Sequence, residues 1–465
     1  MPARLLALLG LVIAAGADAR GVSPYLPLNI SPEIERQIER VLILAEQPVL
    51  TRPIAAAIVF DALPRACERD AALCAEVREY LSGYMRDAGI GTLSVRLAAT
   101  SGEATPLPNR HGMTSDSAYE ISGSVYWQPS DHMLLTAGVL THDDDTTPTG
   151  SVVSIGIASA QLDVGFRDHW LSPLTDSAML LGTQAPTMPS VTLSNYQPLT
   201  RAGFRYEVFV AEMSESQNIA YQTGYTAGSP RLAGVHLSIQ PIPGWTLGVN
   251  RIMQYGGGAR EDSFSELVRA FVNPSDYDNT GTPEDFGNQI ASFTSTFQLA
   301  GPVPFAVYFE YAGEDTSTLS NVRLGNSALA AGIRFPVLAE RFDLTVEATE
   351  WQNGWYVHHI YQDGLRHEGN AVGHWAADWR VPQDGVGGRS LMARLGWYRQ
   401  AGDSLEATYR SVEHEEYSGV DYERGHALAL RYSRGWQQFH VGAELDLGRN
   451  VFGESYSRLG VFLRF

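Results

Sequence analysis

The sequence predicts an all-β transmembrane barrel of about 18 antiparallel strands with a small N-terminal α-helical bundle in front of it. Three observations predict it. From Thr92 onward apolar and polar residues alternate with period two. The connections between these runs are alternately short and long, and aromatic residues collect at the run ends.

The chain opens on a secretory signal. Arg4 supplies a positive start, Leu5 to Ala15 is an apolar core broken only by Gly10, and Ala17-Asp18-Ala19 is a small-x-small cleavage site. Residues 1–19 are therefore expected to be removed. After Ala19 no apolar run reaches the roughly 18 residues that a membrane-crossing helix needs. A secreted chain of that kind is periplasmic, extracellular or a barrel.

Residues 20–91 read as the helical part, on the periplasmic side of the barrel. Ser31-Pro32-Glu33 gives an N-cap, a proline at the first helical position and an acid in the first turn. Ile34, Ile38, Val41 and Leu42 follow at helical spacing. Pro48 and Pro53 break the run; a later helix places Leu73, Val77, Tyr80, Leu81 and Tyr84 on one face, and Gly89 and Gly91 are expected to end it. The region is too short to stand alone with confidence and is expected to pack on the barrel. The only two cysteines, Cys67 and Cys74, flank a short loop. They are either a disulfide or two reduced thiols packed between helices. An oxidising compartment favours the bridge, worth roughly 2–3 kcal/mol in the chain-entropy treatment.

Residues 92–465 read as the barrel. Phe305, Val307, Phe309 and Tyr311 alternate with Ala306, Tyr308 and Glu310; Leu344, Val346 and Ala348 with Asp343, Thr345 and Glu347; Leu405, Ala407 and Tyr409 with Glu406, Thr408 and Arg410; Val441, Ala443, Leu445 and Leu447 with Gly442, Glu444 and Asp446. A soluble sandwich alternates in the same way. The connections separate the two. Short turns fall at Gln128–Asp131, Pro241–Gly244, Gly301–Pro304, Gln400–Asp403 and Ser433–Gly435. Longer polar segments fall near 101–117, 143–150, 213–230, 254–286, 313–327, 352–389, 413–424 and 448–454. Short turns on one side and long loops on the other belong to outer-membrane barrels, as do aromatic girdles, here Tyr126, Trp127, Trp245, Tyr311, Trp351, Trp397, Tyr398 and Trp436. The last strand carries Leu459, Val461, Leu463 and Phe465 on one face. Assigning turns and loops backward from Phe465 gives the even count, with Ser151–Asp168 read as one long strand. A barrel of this size holds a water-filled lumen unless something fills it.

The formal net charge is −19, and every basic side chain is an arginine. That excludes a nucleic-acid partner, which needs a basic footprint.

Several segments resemble the capsule-assembly Wzi family. They are Pro24–Asn29 with Ser31-Pro32-Glu33; Leu63–Cys67 with Leu73-Cys74; Val164-Gly165-Phe166-Arg167-Asp168-His169-Trp170-Leu171-Ser172-Pro173; Thr187–Ser190; Leu193-Ser194-Asn195; Gly313-Glu314-Asp315; and His359–Gly364. The resemblance spans nearly all of the mature chain. It implies a lectin-like, non-enzymatic barrel of the bacterial outer membrane that helps attach or organise capsular or related exopolysaccharide at the cell surface. The expected partners are that polysaccharide, outer-membrane lipid and other polysaccharide-export components, and the chain is expected to be a monomer.

The longest outer segment, 352–389, is rich in groups that bind sugars. Flat aromatic faces cover C–H surfaces, and arginine forks hold hydroxyls and carboxylates. The candidates are Trp355, His359, Tyr361, Arg366, His367, Trp375, Trp379 and Arg380; the plainer reading makes them interfacial and loop-packing residues. No cofactor is expected. His358 and His359 are expected on opposite faces of a strand, which excludes joint chelation. Asp143-Asp144-Asp145 reads as a solvated loop before it reads as a calcium site. Arg167-Asp168-His169-Trp170 has the residue types of a catalytic set without a G-x-S-x-G elbow and is read as a structural lining of the lumen. Gly256-Gly257-Gly258 lacks the lysine of a phosphate loop. Glu310, Asp343, Glu347, Arg410, Arg431, Glu444 and Asp446 face inward. They either line a pore, which makes a porin or channel the alternative function, or pair across the lumen and close it.

Overall fold

The computed structural model describes residues 21–143, 145–272, 286–316, 324–339, 341–399, 403–436 and 439–465. The signal segment, Asp144, residues 400–402 of the predicted turn and the side chain of Trp436 lie outside them.

Eighteen antiparallel staves close into one barrel. They are β1 (Ala88–Gly102), β2 (Tyr119–Ser130), β3 (Met133–His142), β4 in two pieces (Asp145–Thr147 and Val152–Ile157), β5 (Ala160–Gly165) and β6 (Ser190–Ser194). Then come β7 (Arg205–Glu212), β8 (Arg231–Ile242), β9 (Trp245–Tyr255), β10 (Gly287–Leu299), β11 (Phe305–Thr316) and β12 (Leu324–Leu338). The last six are β13 (Phe342–Trp351), β14 (Gly388–Tyr398), β15 (Asp403–His414), β16 (Gly425–Trp436), β17 (Phe439–Arg449) and β18 (Ser455–Arg464). Strand β18 pairs with β1, from Arg464 beside Ser94 to Tyr456 beside Gly102, so no edge is left open.

The period-two pattern sorts side chains by face. On β2, Ile121, Val125 and Trp127 point out and are exposed, while Ser122 and Ser124 point in and are buried. The same holds for Leu391 and Leu395 on β14 against Ser390 and Met392, and for Leu459, Val461 and Leu463 on β18 against Phe462 and Arg464. A closed wall that is apolar outside and polar inside suits lipid. Because neighbours in a strand face opposite ways, the girdle is thinner than predicted. Trp127, Trp245 and Tyr311 look outward, but Tyr126 and Trp351 point in and are buried.

Short connections gather at one end. Asp131-His132 joins β2 to β3, and Pro243-Gly244 joins β8 to β9 with Gly244 at φ 80°. Two short turns escaped the sequence. Ala158-Ser159 lies inside the stretch predicted as a single strand from Ser151 to Asp168, which the structure divides into β4 and β5. The other follows β12, where Ala339, not a glycine, takes positive φ.

The helices sit at the short-turn end, which is therefore the periplasmic one. Helix α1 (Pro32–Leu44) starts at Ser31, whose hydroxyl accepts from the Ile34 amide; α2 (Ala56–Cys67) runs through Pro64; α3 (Ala71–Ser82) starts at Asp70, which accepts from the Leu73 amide. A 3-10 turn follows α3 and β1 begins at Ala88, so Gly89 and Gly91 belong to a strand and do not end the helix. Ile38, Val41, Leu42, Val59, Leu63, Val77 and Leu81 form the shared core. Cys67 and Cys74 are bridged, with Cα atoms 5.4 Å apart, tying α2 to α3.

Helix α1 plugs the mouth of the barrel by charge as well as by packing. Glu39 receives Arg334 of β12 at 2.7 Å, Arg52 at 3.1 Å and Arg394 of β14 at 3.6 Å. Arg36 pairs with Glu406 of β15, and Glu33 accepts from Ser404 and Ser433.

Candidate functional site

Three segments at the far, outer end fold back into the lumen: 103–118, 166–189 and 352–387. The apolar side chains of the second and third build one core, with Leu171, Met179, Leu180, Trp355, Tyr356, Leu365, Val372, Trp375 and Trp379 at its centre, while Leu107 and Met113 of the first pack with Tyr456. Indole and amide donors cross-link them. Trp379 Nε1 donates to the Pro106 carbonyl at 2.8 Å, Trp375 Nε1 to Asp176 at 3.1 Å, Gln184 to Asp378 at 2.8 Å and the Tyr356 hydroxyl to the Met179 carbonyl at 2.6 Å.

The inward charges of the wall grip this plug. Ser172 donates to Glu310 at 2.8 Å, the Thr175 hydroxyl and the Asp176 amide donate to Glu347 at 2.8 Å each, and Arg410 reaches Asp176 at 2.6 Å. Arg431 and Arg458 pair within the wall, with Glu406 at 3.2 Å and Glu444 at 3.0 Å. The expected pairing across the lumen is not what these groups do: Glu310, Glu347 and Arg410 bind the inward-folded segment, and Arg431 and Glu444 pair with neighbours in the wall. The plug also meets the helical domain: Arg52 and Trp170 exchange both backbone hydrogen bonds, at 3.0 and 2.9 Å. Protein therefore fills the lumen from both ends.

Arg167 and His169 share a face, as predicted for a strand, although β5 ends at Gly165. Both reach Glu207 of β7, at 2.7 and 2.8 Å, while Asp168 turns to His111 at 3.2 Å. Burial disfavours charge on that last pair, yet their mutual attraction holds His111 above and Asp168 below their ordinary pKa values. His169 also lies 3.3 Å from Ser190 Oγ, so serine, histidine and glutamate stand in the order of a hydrolytic triad. Ser190 and His169 are buried, Thr192 competes for the same imidazole nitrogen at 3.4 Å, and Arg167 shares the glutamate. Together these contacts tie the segment that follows β5 to β6 and β7.

The eight sequence candidates for sugar binding divide sharply. Trp355, Tyr361, Trp375 and Trp379 are at most 2% exposed, and His367 and Arg380 are also buried. Arg380 donates to the carbonyls of Val386 and Trp355, Arg366 to Asp378 at 2.6 Å, and Tyr361 to the Gly256 carbonyl at 3.1 Å. These groups hold the plug in shape. Arg366 is half-buried, and His359 is the one left exposed. His358 and His359 are not on a strand; their rings sit 4.3 Å apart, which corrects the expectation that they face opposite ways.

The segment around His359 is flanked by a hairpin within the predicted 213–230 loop. Ser216–Tyr221 pairs with Gly224–Gly228, and the hairpin docks through Ile219 beside Tyr361 and the Ala220 amide on the Ile360 carbonyl at 2.7 Å. It raises Tyr221 (37% exposed) and Tyr225 (65%) beside the exposed polar side chains of Gln217, Asn218 and Gln222. Tyr417 (61%) stands on the β15–β16 loop. Exposed rings among amides on an outer surface fit C–H faces and hydroxyls. The local signal is modest: Ile219-Ala220-Tyr221 and Tyr225-Thr226 flank the two-residue turn Gln222-Thr223, with Gln222 at φ 52° and Gly224 following it.

Residues 104–443 match the family model for the capsule assembly protein Wzi. An uncharacterised 55.8 kDa protein from the cps region of Klebsiella pneumoniae is 25% identical over 310 residues, which is 64% of this chain and 55% of that protein. The chain thus spans little more than half the length of this relative. In fold it is similar to Escherichia coli Wzi, described as an outer-membrane, carbohydrate-binding β-barrel involved in group 1 capsule assembly. The TM-score is 0.68 at 15% identity, covering 95% of this chain and 99% of that one. Closed barrel, periplasmic helices and family match agree: the chain belongs to the capsule assembly Wzi family and is a barrel of the bacterial outer membrane.

Proposed function

We propose that this protein is a non-enzymatic, lectin-like barrel that binds capsular or related polysaccharide on its outer face and helps hold it at the cell surface. The observation that carries the reading is the filled lumen. Outer segments that fold inward and helices that cap the other mouth leave a braced platform in place of a conduit. This favours surface binding over the porin alternative. Tyr221, Tyr225 and His359 make the contact with sugar, and the buried group of Trp355, Tyr361, His367, Trp375, Trp379 and Arg380, with Arg366, keeps them in place. The carbohydrate binding of the structurally similar Escherichia coli barrel supports the same reading.

The test mixes detergent-solubilised protein with the host's polysaccharide in gel retardation across several salt concentrations. Wild type is retarded. Tyr221→Ala with Tyr225→Ala removes two faces at roughly 1 kcal/mol each, about a 30-fold loss of affinity. Absence of any retardation by wild type removes the proposal, and full binding by the double variant removes the hairpin from it.

A further inference from the structure

Strands β17, β18, β1 and β2 line up four inward side chains in one lateral row near the periplasmic end. His440 faces Arg464, Arg464 faces Ser94, and Ser94 faces Ser122. Arg96, which pairs in register with Phe462, stands two residues further along β1. Arg464 is 2% exposed, Ser94 3% and Ser122 0%. All have polar atoms without a hydrogen-bond partner: every nitrogen of the Arg464 guanidinium, Nε and Nη1 of Arg96, both serine hydroxyls and His440 Nδ1.

The surrounding charges do not complete Arg464. Arg96 and Arg110 reach Glu120 at 3.5 and 2.7 Å, Arg458 reaches Glu444 at 3.0 Å, and Arg36 and Arg431 share Glu406. Glu33 of α1, the carboxylate packed over this region, accepts from Ser31, Ser404 and Ser433. Among the described residues no carboxylate lies within ion-pair distance of Arg464. Glu33 and Glu444 attract it from beyond that distance, and its one direct contact of this kind is the Phe462 ring, 4.1 Å from its Cζ. A buried guanidinium without a counter-charge in contact is unfavourable, and the unpartnered polar atoms clustered around it compound that cost.

We propose that Arg464, Arg96, Ser94 and Ser122 form a buried site for a small tetrahedral oxyanion of the inorganic phosphate or sulfate class. The guanidinium fork of Arg464 matches two oxygens of such an anion, and the serine hydroxyls donate to the others. The burial of all four side chains excludes a polymer. The anion supplies the missing counter-charge and locks the helical domain onto the seam where the barrel closes. This site is independent of the outer face.

The test titrates full-length mature protein in detergent with inorganic phosphate, and separately with sulfate, at constant ionic strength made up with chloride. Calorimetry and thermal unfolding are both read. Wild type is expected to bind one oxyanion per chain with a saturable rise in melting midpoint. Arg464→Gln weakens binding at least tenfold. Ser94→Ala with Ser122→Ala, which keeps every charge, also weakens it and stands in should the arginine variant fail to fold. A non-saturating salt effect, equal in wild type and both variants, overturns the proposal. So does a crystal structure from phosphate buffer with only water between Arg464 and Ser94.

Discussion

Replacing Glu39 by glutamine tests how the periplasmic mouth is closed. The carboxylate lies 5% exposed, with Arg334 at 2.7 Å, Arg52 at 3.1 Å and Arg394 at 3.6 Å around it. Burial opposes its charge, but Arg334, Arg394 and Arg52 outweigh that and hold the carboxyl below the usual range. Glu39→Gln leaves three buried guanidiniums facing a neutral amide. Removing one partner of a buried charge pair typically costs about 3–5 kcal/mol. The neighbouring Glu35 moderates the loss. Burial and the charge of Glu39 hold its carboxyl above the usual range, so it ionises more readily once that charge is gone. The expected cost is therefore at the low end, about 3 kcal/mol, or roughly a 100-fold rise in the opening of α1 from the barrel. Hydrogen exchange of the amides of residues 32–44 in detergent micelles reads this directly, with the plug segments as an internal control. Exchange within threefold of wild type would refute the reasoning that charge, not apolar packing alone, seats α1.

Three further outcomes follow from the same geometry. His358, His367 and His374 each accept a backbone amide at Nδ1, from Ile360, Ser214 and Ala376. Burial foremost lowers their pKa values to about 3, 4 and 4, so they stay neutral when folded while the unfolded chain takes up protons below about 6.5. The stability they confer is present above that value and is lost as pH falls through the 6.5 to 4 window; protection factors of the amides in 352–387, corrected for intrinsic exchange, should fall between pH 7 and pH 5, and unchanged protection would contradict this. Wild type should be electrically silent in planar bilayers, whereas excising residues 353–386 with a short linker should open a steady conductance; equal currents from both would mean the plug does not seal. Converting Cys67 and Cys74 to serine should lower the stability of the helical domain by about 2.5 kcal/mol in denaturant titration, and a loss near zero would show that packing of α2 on α3 suffices.

Much of the barrel was legible because its signal is local. Strand alternation, an even stave count and most outer loops follow from period and turn chemistry in Leu344–Ala348 or Pro243-Gly244 as readily as from coordinates. The β4–β5 turn was hard to read because Ala158-Ser159 carries no glycine or proline; its one mark is a shift of the outward apolar positions from Val153 and Ile155 to Val164. The candidate site was less legible for a different reason. Aromatic residues and arginines in an outer segment look alike whether they face sugar or each other. That 352–387 folds inward depends on partners such as Asp176 and Pro106, far away in sequence, which take the indole donors of Trp375 and Trp379. The disulfide and the helical faces were readable because both partners lie within one or two turns.

Cell-bound polysaccharide, measured against polysaccharide released into the medium, tests the central claim most directly. A strain lacking this protein should make a normal total amount yet shed most of it. A strain carrying Tyr221→Ala, Tyr225→Ala and His359→Ala at normal membrane levels should shed it too. Retention unchanged in the deletion strain would contradict the account.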